Sequence, residues 1–332
     1  MRWYDSREGF ERIDRLGAEG EDFLFILSFD RERIFAEPLE ALPENLYYRI
    51  EGECRLPRPV PARPDSPALT SLQPLLYPRY KEAFDRVIEA IRRGETYLLN
   101  LTFPTPIESG WSLEEIFTHA EAPYKLALSG EFCCFSPERF LSIDARIVRT
   151  YPMKGTIDAS LPDAADRILS DPKETAEHVM ITDLMRNDLN RIATEVRVER
   201  FRYLDRIRAG AKELLQVSSR IRGTLPPDWR SRLGSLLREV TPAGSVTGTP
   251  KRSTVELIRS IEGYERGFYT GVFGICRGEV LRSAVMIRYI EKDQEGNYLY
   301  KSGGGITLMS DPESEYRELI DKVYIPLPSE GP

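Results

Sequence analysis

Three kinds of residue in this chain could do chemistry together. The first is a lysine. Lys154 stands in "YPMKGT", after the alternating stretch "RFLSIDARIVRT". Pro152 lacks an N–H and would end that strand. Gly155 gives the backbone freedom at a tight turn. Lys154 is therefore expected at a strand-to-turn junction, where the backbone can hold an amine in place. A solvated turn lysine would fit the same residues. The second kind is the carboxylate. Glu138 in "CCFSPERFL" follows Pro137 between apolar runs, so partial burial is expected. A buried carboxyl has a raised pKa and can serve as a general acid. Glu177 lies early in the helical stretch "PKETAEHVMITDLMRNDLNRI". Glu315 and Glu318 lie one turn apart, on one side of "SDPESEYRELIDKV". Carboxylates from two helices suit Mg²⁺, which takes one or two of them plus waters and substrate oxygens. A solvated acidic face is the alternative.

The third kind is the anion binder. "SGGGI" places Gly303, Gly304 and Gly305 at a strand end, where bare backbone N–H groups can approach an anion. A bulge would use the same glycines. "PAGSVTGTPK" is a glycine-punctuated loop before a helix, with hydroxyls at Ser245, Thr247 and Thr249. It lacks the P-loop spacing. Arg288 is read in the apolar strand "SAVMIRYI", where a charge is expensive unless paired. It would make either a bidentate clamp for a carboxylate or a salt-bridged edge arginine.

Composition narrows the classes. The 332 residues are 41% hydrophobic and 30% charged, enough apolar mass for a substantial core. A formal charge of −7 argues against nucleic-acid binding as the main role, so an anion site must be locally positive. "MRWYDSREGF" shows no signal peptide, and no stretch reaches the roughly 18 apolar residues of a membrane span. Cys54, Cys133, Cys134 and Cys276 are read as reduced, mostly buried thiols of a cytoplasmic protein. The histidines are only His119 and His178, which excludes a His-rich metal site.

These residues need elements to hold them. Residues 1–50 read as short β-like runs, notably "DFLFILSFD". Residues 57–67 carry five prolines and read as a loop or strap. "YPRYKEAFDRVIEAIRRGE" has apolar residues at helical spacing and ends at Gly94. The strand "TYLLNLTFPTPI" and the helix "SLEEIFTHAEA" follow. Strands are expected in "KLALSG", "FCCFSP" and "RFLSIDARIVRT", then the long helix from Pro172. Two helices flank "TPAGSVTGTPK". Strands in "FYTGVFGICRG", "RSAVMIRYI" and "YLYKSGGGI" precede a last helix. The pattern predicts one large α+β domain, with antiparallel sheets packed as a sandwich and helices outside.

Seven motifs then occur in order: "SPERF", "PMKGT", "EHVMITDLMRNDLNRI", "GSVTGTPK", "YTGVFGI", "MIRYI" and "GGGITLMSDPESEYRE". Together they resemble the chorismate-utilising enzymes, over roughly residues 76–325. Residues 1–75 would be a short β-rich N-terminal part integral to the fold. The resemblance implies an anthranilate synthase component I-like fold. The lysine form of "PMKGT" is similar to aminodeoxychorismate synthase component I, which feeds 4-aminobenzoate and folate. It implies that Lys154 attacks C2 of chorismate as the C4 hydroxyl leaves, and that ammonia then adds at C4 and displaces the lysine. The attacking amine must be neutral, so its pKa is expected to be depressed by desolvation and a nearby Mg²⁺.

Carried over by motif, Glu138 resembles the general acid. Glu177 and Glu318 resemble Mg²⁺ ligands, with Glu315 a third. Tyr269 and Arg288 match holders of the enolpyruvyl carboxylate. Gly303 and Gly305 match backbone donors to the ring carboxylate, and Ser245 matches a hydroxyl contact. Two departures from the family pattern stand out. Leu215 replaces a histidine tied to pyruvate loss in anthranilate synthase, which argues against that reaction. Leu98 replaces a common glutamine and cannot act as the water-activating lysine of isochorismate and salicylate synthases. Nothing in the chain supplies the Cys-His-acid centre of a glutaminase. A separate glutamine amidotransferase subunit is the expected ammonia source, with no fused lyase domain following.

Overall fold

A computed structural model describes residues 1–209 and 212–328. Its strands form two large sheets, and the pairings among the described residues are antiparallel. The first sheet runs in the order Met153–Asp158, Lys212–Thr224, Ile147–Thr150, Arg139–Asp144, Val280–Val285, Val272–Arg277, Phe23–Leu27, Ile34–Pro38. Thr194–Ala209 also pairs with Lys212–Thr224. The second runs Gly248–Thr249, Leu98–Glu108, Tyr298–Ile306, Tyr289–Lys292, Phe132–Ser136, Tyr124–Leu128, Leu46–Ile50, Glu53–Arg55.

Side-chain alternation shows how the layers stack. In the central strand Phe23–Leu27, Leu24 and Ile26 pack with Leu126, Phe132 and Tyr289 of the second sheet. Phe23, Phe25 and Leu27 point the other way, into a core shared with the helices Ser6–Ala18, Pro172–Asn190 and Leu233–Val240. A strand covered on both faces reads as a continuous apolar run, and this one is "FLFIL". Each such buried side chain contributes about 1.5–3 kcal/mol. The outer face of the second sheet is covered by the helices Tyr77–Arg92, Lys251–Glu262 and Pro312–Asp321, and elsewhere by Leu113–His119. The sandwich with helices outside is the architecture the sequence predicts.

Several elements differ from the sequence reading. Ser6–Ala18 is a helix, not a β-like run. Asp5 caps it by accepting the Glu8 N–H at 2.8 Å, and Phe10, Ile13 and Leu16 share its buried face. Its glycines are packing residues: a Cβ on Gly9 would strike Ile34, and one on Gly17 the Arg230 carbonyl. "RFLSIDARIVRT" is two strands, split where Ala145 takes a positive φ of 53°. The strands Thr194–Ala209 and Lys212–Thr224 were not expected, and the second flanks Met153–Asp158.

Candidate active site

Lys154 lies inside the strand Met153–Asp158 and not at its end. The ladder to the neighbouring strand pairs Met153 with Ser218 and next Thr156 with Gln216. One extra residue is therefore accommodated, and Lys154 and Gly155 form the bulge. Gly155 has φ +86°, which a side chain would strain. From this bulge the Lys154 Nζ reaches Glu177 Oε2 at 2.8 Å. Burial opposes the charge on Lys154, but Glu177, with Glu318 and Glu315 beyond it, outweighs burial. The pKa lies above its ordinary value, so the protein groups alone do not produce the expected depression.

Glu177 comes from the helix Pro172–Asn190, which Asp171 caps by accepting the Glu174 N–H at 3.0 Å. Glu174 sits one turn before Glu177 and reaches the bulge too. A Cβ on Gly155 would lie 2.6 Å from its Oε2. Sequence reasoning missed Glu174, although its spacing to Glu177 repeats that of Glu315 to Glu318.

The facing wall is the strand Tyr298–Ile306. Its neighbour Tyr289–Lys292 covers only Tyr298 to Lys301, so one edge is open from Ser302 onward. Thr102 sends its N–H to Glu262, and Asn100 sends its N–H to the Thr247 carbonyl. Neither bonds back to its cross-strand partner, Gly303 or Gly305. These are thus non-hydrogen-bonded pairs, whose glycines turn their own N–H and C=O to the open edge. Lys322 Nζ takes up the Gly303 carbonyl there at 2.8 Å, and Glu318 Oε1 at 2.6 Å. Lys322 is a second residue the sequence reading missed. A Cβ on Gly305 would sit 3.8 Å from Lys154 Nζ and 3.7 Å from Leu98. One on Gly304 would sit 3.3 Å from Glu315 Oε2 and 3.6 Å from Glu318 Oε1. The glycines therefore lie between the lysine and the second glutamate pair.

Glu138 follows the strand Phe132–Ser136 and accepts a hydrogen bond from Ser245 Oγ. Burial raises its pKa, while Ser245, Lys322 and Arg288 work against the rise. Arg288 is not in a strand. It lies between Val280–Val285 and Tyr289–Lys292 with a positive φ of 52°. Its carbonyl still accepts the Phe135 N–H at 3.1 Å, so the kink lies at the edge of the ladder. The guanidinium carbon lies 5.2 Å from the centre of the Tyr324 ring, and its Nε is buried without a hydrogen-bond partner. No carboxylate pairs with it among the described residues, so the salt-bridged alternative is not what the fold builds. Tyr269 is buried, and its hydroxyl feels both Arg288 and Glu138.

The ten residues singled out from sequence thus come to one region, which Glu315 and Glu318 reach from the outer helix Pro312–Asp321. Leu98 borders Gly305, and Leu215 pairs with Ile157 on the strand beside Lys154. Among the described residues, no three carboxylate, imidazole or thiol groups converge tightly enough to hold an ion unaided. The two glutamate pairs suit a hard cation that completes its shell with water and substrate oxygens. Burial pushes the thiols of Cys133 and Cys134 up, the latter to about 12, which leaves neither a ready nucleophile. No helix among the described residues is long and apolar enough to cross a membrane.

Residues 36–328 match the sequence pattern of the chorismate binding enzymes, and the chain belongs to that family. An uncharacterised PabA-like protein of Pasteurella multocida is 43% identical over 96% of this chain and 98% of its own. Anthranilate synthase component 1 of Haloarcula marismortui is 32% identical over 73% of this chain and 51% of its own. Aminodeoxychorismate synthase component 1 of Salmonella typhimurium is 31% identical over 74% and 56%. The chain thus spans about half the length of these last two. The menaquinone-specific isochorismate synthase of Escherichia coli superposes with a TM-score of 0.72 at 18% identity, over 97% of this chain and 82% of that one. That likeness concerns the fold.

Proposed function

We propose that this chain is an aminodeoxychorismate synthase component I, converting chorismate and ammonia to 4-amino-4-deoxychorismate for 4-aminobenzoate and folate synthesis. The observation that carries the reading is Lys154. Its amine reaches from a strand bulge to 3.8 Å from where a Cβ on Gly305 would sit, and to 2.8 Å from Glu177. An amine so held meets the positional requirement of a nucleophile.

The chain's residues divide the work as follows. The N–H groups of Gly303 and Gly305 on the open strand edge receive the ring carboxylate. Arg288, whose Nε is without a hydrogen-bond partner, and Tyr269 receive the enolpyruvyl carboxylate. The Lys154 amine forms a bond to C2 while both conjugated ring double bonds each shift by one position, away from C2 and toward C4, and the C4–O bond breaks. Glu138 delivers the proton that lets this oxygen leave as water. Ammonia then bonds to C4, both double bonds shift back, and Lys154 departs from C2. Glu177 and Glu318, with Glu315 beside them, are the proposed Mg²⁺ holders. The ion when bound would neutralise the ring carboxylate. Glu177 cannot serve the ion and keep its full hold on Lys154, so sharing it loosens the ion pair that raises the lysine pKa.

The 32% identical anthranilate synthase keeps a second reading open, in which the amine enters at C2 and pyruvate is lost. Leu215, an apolar side chain beside the Lys154 strand, offers no base or acid for pyruvate loss. Ammonia is assigned to a separate glutamine amidotransferase. The hydrogen bonds of the two histidines go to the Pro61 carbonyl and to Ser219 Oγ, and neither is to a thiol. The test is incubation with chorismate, MgCl₂ and an ammonium salt, followed by product identification. Aminodeoxychorismate is expected, and anthranilate with pyruvate would overturn the assignment.

A further inference from the structure

His178 directly follows Glu177 in the helix and has no part in the chemistry above. It is fully buried, with the Phe201 ring edge-on at 5.8 Å between ring centres. Its Nε2 lies 2.7 Å from Ser219 Oγ. That hydroxyl oxygen also accepts the Arg202 backbone N–H at 2.9 Å. Ser219 in turn gives its backbone N–H to the Pro152 carbonyl at 2.8 Å. The histidine is thus tied to the segment that leads into the lysine bulge.

Nδ1 is buried and has no hydrogen-bond partner, while the ring lies near the Lys154 backbone. Lys154 and Gly155 are the residues at which the strand ladder shifts register, so their backbone lies outside its regular pairing. The proton count favours one tautomer. With Ser219 Oγ accepting from Arg202, its own hydrogen is free for Nε2. The imidazole hydrogen then sits on Nδ1, and the Lys154 carbonyl is the backbone acceptor near the ring. The opposite tautomer would set an Nδ1 lone pair against carbonyl lone pairs.

We propose that His178 is a positioning residue for Lys154: its Nδ1–H holds the backbone of the bulge while the preceding Glu177 holds the amine, so one helix turn fixes the lysine at both ends. Its effect on rate rests on the reading of Lys154 as nucleophile; its effect on the lysine's placement does not.

Two substitutions separate the two ring nitrogens. His178→Asn keeps an amide donor near the Nδ1 position and gives up the Ser219 bond. His178→Gln reaches Ser219 and gives up the bulge. Each is assayed with chorismate, MgCl₂ and an ammonium salt, and the rate of reductive methylation of Lys154 is followed by peptide mass spectrometry. His178→Asn should keep kcat and the methylation rate near wild type. His178→Gln should lose about tenfold or more in kcat, as a displaced reacting group does, with little change in KM for chorismate and an altered methylation rate. An altered methylation rate with unchanged kcat would sustain the positioning role and sink the nucleophile. If the Asn and Gln variants methylate and turn over alike, His178 does not position Lys154. Comparable melting temperatures for the two variants keep that comparison free of folding effects.

Discussion

Glu138 is under two opposed influences, and Ser245 sets the balance between them. Burial raises the carboxyl pKa, and the Ser245 hydroxyl, by donating to Oε1, lowers it. A general acid works while protonated, so activity is present below its pKa and is lost as pH rises through it. Ser245→Ala removes the donor that favours the carboxylate, so the pKa of Glu138 rises further. The alkaline limb of kcat should move to higher pH in this variant, and an unmoved limb would detach Glu138 from the acid role. The glycines permit an equally local test. A methyl on Gly305 meets only ordinary contacts at 3.7–4.0 Å, so Gly305→Ala should fold normally. It fills the space beside Lys154, and KM for chorismate should rise about tenfold or more. A methyl on Gly303 would collide with the Leu101 carbonyl and Thr102, so Gly303→Ala should lower the melting temperature instead. Equal behaviour of the two variants would contradict the placement of the substrate over Gly305.

At the scale of elements, two helices deliver the acidic groups. Pro172–Asn190 brings Glu174 and Glu177, and Pro312–Asp321 brings Glu315 and Glu318. Each pair meets one lysine, Lys154 on one side and Lys322 on the other. If the helices share one Mg²⁺, Glu177→Gln and Glu318→Gln should each raise the Mg²⁺ concentration for half-maximal activity by about tenfold or more. Full activity of both variants at limiting Mg²⁺ would remove the metal from this site. Much of this was legible in the sequence, because helix spacing and glycine runs are local signals. "PKETAEHVMITDLMRNDLN" reads as one helix and is one, and "SGGGI" reads as a bare strand end and presents an open edge. What escaped depended on contacts distant in sequence. Lys322 resembles any helix-end lysine until the Gly303 carbonyl is placed against it. The helix Ser6–Ala18 was hidden by glycines whose reason is packing on Ile34 and Arg230. Arg288 reads as a strand residue because its neighbours are apolar, yet it lies just before the strand with a positive φ.

For the whole molecule, the two sheets have different duties. The first carries Lys154 in a bulge on Met153–Asp158, braced by the strand Lys212–Thr224. The second carries the glycine edge in Tyr298–Ile306, bonded along Leu98–Glu108. The core between them, with Leu24, Ile26, Phe132 and Phe273, fixes the distance between Lys154 and the glycine edge. Family membership sets chorismate as the substrate class, and the chemistry proposed on it turns on one amine. The most direct measurement is therefore mass spectrometry of the enzyme mixed with chorismate and MgCl₂ without ammonia, read together with the kinetics of Lys154→Ala. An adduct on the peptide containing Lys154 is expected, along with a strong loss of amination in the variant at nearly unchanged chorismate affinity. No adduct on that peptide, with amination by Lys154→Ala equal to wild type, would contradict the assignment of Lys154 as the nucleophile.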